Sequence, residues 1–343
     1  HDRSLCQAPI LETYIASLTR LRAYNGRVEK RGFRESIVET IRRTGLGRYF
    51  PAPLRQLKRF LLGEPSLDPV VAVWETPHQW FYWTQHPSIA ASVNQQISGV
   101  PWMAATQYLK VRWAYEPLGR GLSLGCGTGP LERDLWRQRI CEEIDAVDLS
   151  WRAVRSAKTE ARRSGMSGIH YRCRDFNRMP FPRERYDFAA FHGSLHHAAD
   201  PEGLLRRVRE TLRPGGLLYL DEYVGPSRDE WSEEHLRPAR EIYDSLPEEL
   251  KRTPMQPPVA WDDPSEMAAS SRILPAVRER FEIVDDRPYW GNLLFPLVTA
   301  LHGGRLLEDE FLPLVREWIE REQELIRDGT FRSPLYAVVI ARR

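Results

Sequence analysis

The stretch Gly121-Leu-Ser-Leu-Gly125-Cys-Gly127-Thr-Gly129-Pro-Leu-Glu132 constrains this chain more than any other. An apolar run meets three glycines at alternate positions, and an amphipathic segment follows. The pattern predicts a buried strand, a tight turn and the start of a helix. Glycine lets the backbone approach a ligand with no Cβ in the way. Pro130 suits a first helical position, where an N–H is not needed. A turn of this kind at a helix N-terminus is a nucleotide-binding device.

The spacing narrows the nucleotide. A dinucleotide fingerprint needs G-x-G-x-x-G; counted from Gly125 its last glycine falls on Pro130, and counted from Gly127 it falls on Glu132. A phosphate-binding P-loop needs Gly-Lys-Ser/Thr, and no lysine is near. What remains is G-x-G-x-G, which resembles motif I of the class I S-adenosylmethionine (SAM)-dependent methyltransferases. The resemblance implies an α/β, Rossmann-like fold. Its seven-stranded, mostly parallel sheet would run in the order 3-2-1-4-5-7-6, with helices on both faces. It also implies SAM as cofactor, S-adenosylhomocysteine (SAH) as product, and cofactor contacts at Gly125, Cys126, Gly127, Thr128 and Gly129.

Residues 143–150 read as the second strand, ending at Asp148-Leu149-Ser150. A carboxylate there can accept two hydrogen bonds from a ribose diol, and it lies about the 20 residues past the first glycine that this role requires. A solvated cap is the plain alternative for a lone Asp. A helix Trp151–Ser164 and a third strand Ile169–Arg174 follow, then Asp175-Phe176-Asn177. In methyltransferases of this type the Asp caps the adenine amino group and the apolar residue packs on the ring. Arg185–Phe191 is a fourth strand, leading into His192-Gly193-Ser194-Leu195-His196-His197. A helix Pro201–Leu212, the turn Arg213-Pro-Gly-Gly216 and a strand Leu217–Tyr223 come next. The run D-x-x-x-x-x-x-S-L-H-H … L-x-P-G-G-x-L resembles the later motifs of small-molecule members, so the likeness covers about residues 115–225. It implies that His192, Gly193 and Ser194 touch the cofactor.

Absences narrow the substrate. No Asn/Asp-Pro-Pro-aromatic loop of nucleobase amine methylation follows the fourth strand, no cysteine follows a proline, and no double-glutamate loop appears. These absences weigh against nucleic-acid and protein substrates and favour a small molecule. One departure stands out. Many relatives carry an acidic residue two positions before the first glycine, and here it is Ser123.

The chain has 343 residues, more than one such core needs, so further elements are expected at both ends. We expect a helical, aromatic-rich N-terminal extension over 1–110 and a core over 111–343. Within the core, a cap insertion should occupy about 225–280 and a helical insertion about 293–327. No apolar run reaches the roughly 18 residues of a membrane span. Four cysteines without C-x-x-C spacing argue against a disulfide framework or zinc, so no metal is expected, and fit a reducing cytoplasm. Arginine outnumbers lysine heavily, as in GC-rich bacteria. Residues 1–60 are basic and 221–286 acidic. Arginines alternate with apolar residues in the first segment, which favours a helical face over a nucleic-acid arm.

Helices over 1–62 should break at Gly45-Leu-Gly47 and Pro51-Ala-Pro53. Trp74, Trp80 and Trp83 belong to an aromatic stretch. Trp83-Thr-Gln-His86-Pro87 and the helix after it resemble a pre-core segment that covers the cofactor in a bacterial branch of the family. That likeness implies cofactor contact for Trp83 and a substrate-side role for His86. Core filling is the plain alternative. Past the fifth strand, Tyr223 and Trp231 are substrate-contact candidates. A helix Ser232–Ser245, a proline-rich loop, a helix Ser265–Arg280, a sixth strand Phe281–Tyr289 and a last antiparallel strand Tyr336–Ala341 complete the reading.

The leading functional expectation is methylation of a small hydroxylated metabolite, sugar or lipid precursor on oxygen, with carbon or nitrogen as alternatives. His196, His197 and Glu222 are the candidate bases, because they stand at C-terminal strand ends. A SAM-binding regulator without chemistry is the reading from another class. A homodimer is compatible with the sequence.

Overall fold

The structure, a computed structural model, describes Val70 and residues 81–343. The basic segment 1–60, its expected helices and breaks, and Trp74 and Trp80 lie outside the described residues. Elements below belong to the unit that begins at Asp68.

After helices α1 (Pro87–Ser98) and α2 (Ala105–Arg112), the chain alternates strand and helix. It runs β1 (Leu118–Leu124), α3 (Pro130–Arg137), β2 (Cys141–Asp148), α4 (Trp151–Arg163), β3 (Ile169–Cys173), β4 (Tyr186–His192), α5 (Pro201–Thr211) and β5 (Leu212–Tyr223). Then follow α6 (Glu233–Ser245), α7 (Ile273–Arg280), β6 (Glu282–Tyr289), α8 (Leu294–Ala300), α9 (Leu312–Arg327) and β7 (Tyr336–Arg342). The seven strands form one sheet in the order β3-β2-β1-β4-β5-β7-β6, as the motifs imply. β1 pairs in parallel with both β2 and β4, and only β7 runs antiparallel to its neighbours.

The strands are apolar on both sides because both faces are covered. One face packs Phe188, Tyr219 and Ile340 against the α1, α8 and α9 side; the other packs Leu122, Phe191 and Val339 against α5 and α7. Pro288 sits in β6, an edge strand where a missing N–H leaves no ladder bond broken. The order reverses between β1 and β4, so their carboxyl ends diverge and open a crevice.

Two expectations change. The segment 213–216 is no separate turn: β5 begins at Leu212 and the Pro-Gly-Gly bulges within it, where pairing shifts between Tyr186 and Phe188. The helix expected over 265–280 begins only at Ile273. Met267 takes a left-handed φ of 50°, which an α-helix cannot continue through. Residues 263–269 are therefore a loop, and its side chains reach the crevice.

Candidate active site

The glycine turn is built as its sequence demands. Gly129 adopts φ 81° as the cap residue before α3, and a side chain there would collide with Tyr171. Gly125, at φ 75°, lies against Ser194 with the same consequence. Asp148 holds the turn from β2: one carboxylate oxygen accepts from Gly127 N at 2.7 Å, the other from Ser150 N at 2.8 Å. Burial raises the Asp148 pKa, against the pull of these backbone donors.

A cavity of about 620 Å³ opens over this turn. Gly125, Cys126, Gly127 and Thr128 form its floor, Asp148, Leu149 and Ser150 one wall, Asp175, Phe176 and Asn177 another, and His192, Gly193 and Ser194 a third. Gly129 lies just beneath, as the cap of α3. The residues named from three strand ends thus meet in one place. Phe176 stands edge-on to Phe191.

Glu132 joins this cavity, and the sequence reading did not foresee it. It is fully buried on the first turn of α3. Oε1 accepts from Ser123 Oγ, while Oε2 has no hydrogen-bond partner among the described residues. Burial pushes its pKa up to about 7, although the Ser123 bond pulls the other way. The signal was present: a serine where the family resemblance implies an acid, and a glutamate nine residues later.

A second, larger cavity of about 1140 Å³ adjoins it. Trp83, Tyr289, Phe295 and Tyr336 give it an aromatic wall, with Trp83 and Tyr336 rings 5.4 Å apart. Asp134, Asp221, Asp263 and Glu266 supply acidic groups, and Tyr289 donates to Asp221 at 2.6 Å. Pro130, Leu131, His192, Gly193 and His197 line both cavities.

At the junction lies a polar cluster. Glu222, fully buried, accepts from Ser194 N at 2.8 Å, Leu195 N at 2.6 Å, Tyr223 N at 2.8 Å and His196 Nδ1 at 2.5 Å. Burial alone would raise the Glu222 pKa, but the His196 charge and these donors bring it below the usual value. Burial opposes a charge on His196, yet Glu222 lifts its pKa to about 9. His197 Nδ1 meets Ser265 Oγ at 3.1 Å and stands 3.6 Å from Asp263 Oδ2. Burial and the neighbouring imidazole push His197 well down.

Five candidates stand elsewhere than expected. Glu222 does not face the crevice: its oxygens accept from Ser194, Leu195 and Tyr223 N–H and from His196, so it positions the turn after β4. Trp83 lines the larger cavity and not the one over the glycine turn. His86 is fully buried as the cap of α1, accepting from Ser88 N and facing Leu306 O at 3.0 Å, and touches neither cavity. Tyr223 lies behind His196 and donates to Pro226 O at 2.9 Å. Trp231 packs against His235, off both cavities.

Residues 122–220 match the family model described as a methyltransferase domain. Over 155 residues the chain is 30% identical to the ubiquinone biosynthesis O-methyltransferase of Cereibacter sphaeroides (strain ATCC 17029 / ATH 2.4.9), covering 45% of this chain and 60% of that protein. Over 129 residues it is 30% identical to an uncharacterized methyltransferase of Mycobacterium tuberculosis (strain ATCC 25618 / H37Rv), covering 37% and 63%. The chain thus spans about three fifths of the length of these curated relatives. Among solved structures it is similar to the cyclase SpnF at 21% identity and TM-score 0.46, covering 84% of this chain and 92% of that one. The glycine turn, the strand order and the match over residues 122–220 show that this chain carries a methyltransferase domain of the class I SAM-dependent type.

Proposed function

We propose that this chain transfers a methyl group from SAM to a small molecule, and that the acceptor is a hydroxylated metabolite, sugar or lipid precursor methylated on oxygen. One observation carries the reading: two cavities share a wall at His192, Gly193 and His197, so molecules held in each meet there. Holding two reactants in register supplies roughly 7–11 kcal/mol of barrier reduction.

The smaller cavity fits the cofactor. Its backbone cradle is built on Gly125 and Gly129, where a side chain would collide with Ser194 and Tyr171, and a buried carboxylate oxygen of Glu132 lies at its wall with no hydrogen-bond partner among the described residues. Asp148 serves the ribose diol, Phe176 and Asp175 the adenine, and Glu132 the α-ammonium group. When bound, SAM supplies a sulfonium methyl, which the acceptor oxygen gains as the sulfur becomes a thioether. The aromatic wall of Trp83, Tyr289 and Tyr336 orients the acceptor and excludes water. The acceptor's hydroxyl proton leaves towards the His196–His197–Glu266 cluster, which replaces the three separate bases expected from the sequence.

The O-methyltransferase name of the Cereibacter relative supports transfer to oxygen. Acidic groups in the larger cavity would equally draw an amine, so the assay must include both classes. No helix of the described residues is long and apolar enough to cross a membrane, and we place the activity in the cytoplasm on a metabolite. The loop at 263–269 is then part of the cap of this site.

Calorimetric titration with SAM and SAH is the first test. Micromolar binding of both is expected, followed by SAH release with hydroxylated sugars and phenols but not with amines. Absence of binding to either nucleoside would refute the assignment.

A further inference from the structure

We propose that His196, His197 and Glu266 form a binding site for one divalent first-row transition cation, open to the larger cavity. Hydrogen bonding fixes the tautomers. Glu222 already receives three backbone N–H groups and is an acceptor, so His196 Nδ1 carries the proton it gives to Oε1. Ser265 Oγ donates to Asp263 Oδ1 at 2.7 Å, so its lone pair receives Nδ1–H of His197. In their neutral forms both imidazoles then present an Nε2 lone pair, and His196, charged beside Glu222, sheds its second proton as an ion binds.

Both Nε2 atoms turn towards Glu266. They lie 3.9 Å from Oε1 (His196) and 3.7 Å from Oε2 (His197). Those separations are too long for hydrogen bonds. They suit three ligands around one ion, each about 2.0–2.2 Å from it. The three donor atoms lie within 4.8 Å of one another. Two imidazoles and a carboxylate select zinc, iron, cobalt or manganese over calcium or magnesium.

The surroundings also match a metal centre. Ligating histidines regularly give their second N–H to a carboxylate or similar acceptor, which fixes the ring. Glu222 does this for His196, and the Ser265–Asp263 pair does it for His197. Asp263 is buried, and its Oδ2 has no hydrogen-bond partner among the described residues. The site thus gathers three carboxylates around two imidazoles, an arrangement that favours a cation. The ligands come from separate segments: the histidines follow β4, and Glu266 sits in the loop freed by Met267. A bound ion would tie that loop to the core.

All three ligands line the larger cavity, so the remaining position faces the acceptor. An open fourth position is the mark of catalytic rather than structural sites. Only this catalytic consequence rests on the methyl-transfer reading; ion binding does not.

The test uses the full chain, stripped with a chelator and titrated with Co(II), then back-titrated with Zn(II). We expect one equivalent of Co(II) with visible ligand-field bands of low coordination number, displaced by Zn(II). Glu266→Gln and His197→Ala should weaken Co(II) binding by at least ~100-fold, and Asp263→Asn by ~10–100-fold. Glu266→Gln should still bind SAH, which shows that it folds. Absence of the bands, or bands unchanged in Glu266→Gln, would overturn the site. Should the bands appear while SAM fails to bind, the metal centre stands and the methyltransferase function falls. Should SAM bind and methyl transfer proceed with no Co(II) uptake, the reverse holds.

Discussion

Replacing Glu132 by Gln should weaken SAH binding through one functional group of the ligand. The carboxylate is fully buried at the cavity wall, held by Ser123 on one oxygen and without a hydrogen-bond partner among the described residues on the other. An α-ammonium placed there would form a desolvated, hydrogen-bonded ion pair. Truncating one member of such a pair costs about 2–5 kcal/mol, which is a loss of ~30-fold or more at 1.4 kcal/mol per decade. The pH dependence adds a second signature. Burial sets the Glu132 pKa at about 7. At pH 6 only about a tenth of the protein would be ionised there, so wild-type affinity should rise up to about tenfold by pH 8. The Gln variant should show no such rise.

Isothermal calorimetry with two ligands gives the decision. SAH carries the amino-acid end, and methylthioadenosine lacks it. Glu132→Gln should lose SAH affinity and keep methylthioadenosine affinity. Ser123→Asp added to Glu132→Gln should restore much of the SAH binding, since it places a carboxylate across the same contact. Equal loss for both ligands, or no loss for SAH, would refute the assignment of Glu132 to the ammonium.

Three further expectations follow from buried carboxylates. Asp148→Ala removes both the proposed ribose acceptor and the clamp on Gly127 N, so SAH affinity measured by calorimetry should fall at least ~10-fold; full affinity would mean that the ribose is misplaced. Glu222→Gln turns an amide N–H onto donors that Glu222 now accepts from, and breaking such a buried set costs about 3–5 kcal/mol. Melting should drop by several degrees, at about 2–4 °C per kcal/mol; an unchanged melting point would show that Glu222 does not organise the turn. Glu322 is buried on α9, accepts from Leu293 N at 2.9 Å and Leu294 N at 3.2 Å, and burial pushes its pKa from 4.5 up to about 7. Its folded pKa is raised, so its stability contribution is complete below about pH 4.5 and lost as pH rises through 7, a change of roughly 3 kcal/mol. Urea unfolding should show Glu322→Gln gaining on wild type between pH 5 and pH 8, and a constant difference would contradict the buried-charge account.

The sequence is most legible where structure is local. The glycine turn and the acid at the end of β2 follow from runs of a dozen residues whose periodicity and turn chemistry agree, and the strand order follows from the family resemblance that those motifs carry. His86 misled because Trp-Thr-Gln-His-Pro is equally a helix start, and the imidazole caps α1 instead. Glu132 went unseen because an acid on a first helical turn already has a reason to be there, in the helix dipole. The loop at 263–269 was illegible for a tertiary reason. Its composition suits a helix, but Ser265 and Asp263 satisfy His197 and each other, and Met267 turns left-handed. Nothing within that window announces a histidine 68 residues away.

The end of β5 shows how one short segment serves both halves of the site. Successive residues of a strand point to opposite faces. Asp221 therefore faces the larger cavity, with Tyr289 and His192 beside it, while Glu222 turns the other way and gathers the N–H groups of Ser194 and Leu195. Those same N–H groups belong to the turn that touches the smaller cavity. A one-residue slip of β5 would exchange the two acids, leaving the turn unsupported and a buried charge unpaired. Register is pinned against this by seven consecutive pairs with β7, from Leu217–Arg342 to Tyr223–Tyr336. The antiparallel β7 thus does more than extend the sheet. It fixes which acid supports the turn and which lines the larger cavity, and it brings Tyr336 to the aromatic wall at the last of those pairs.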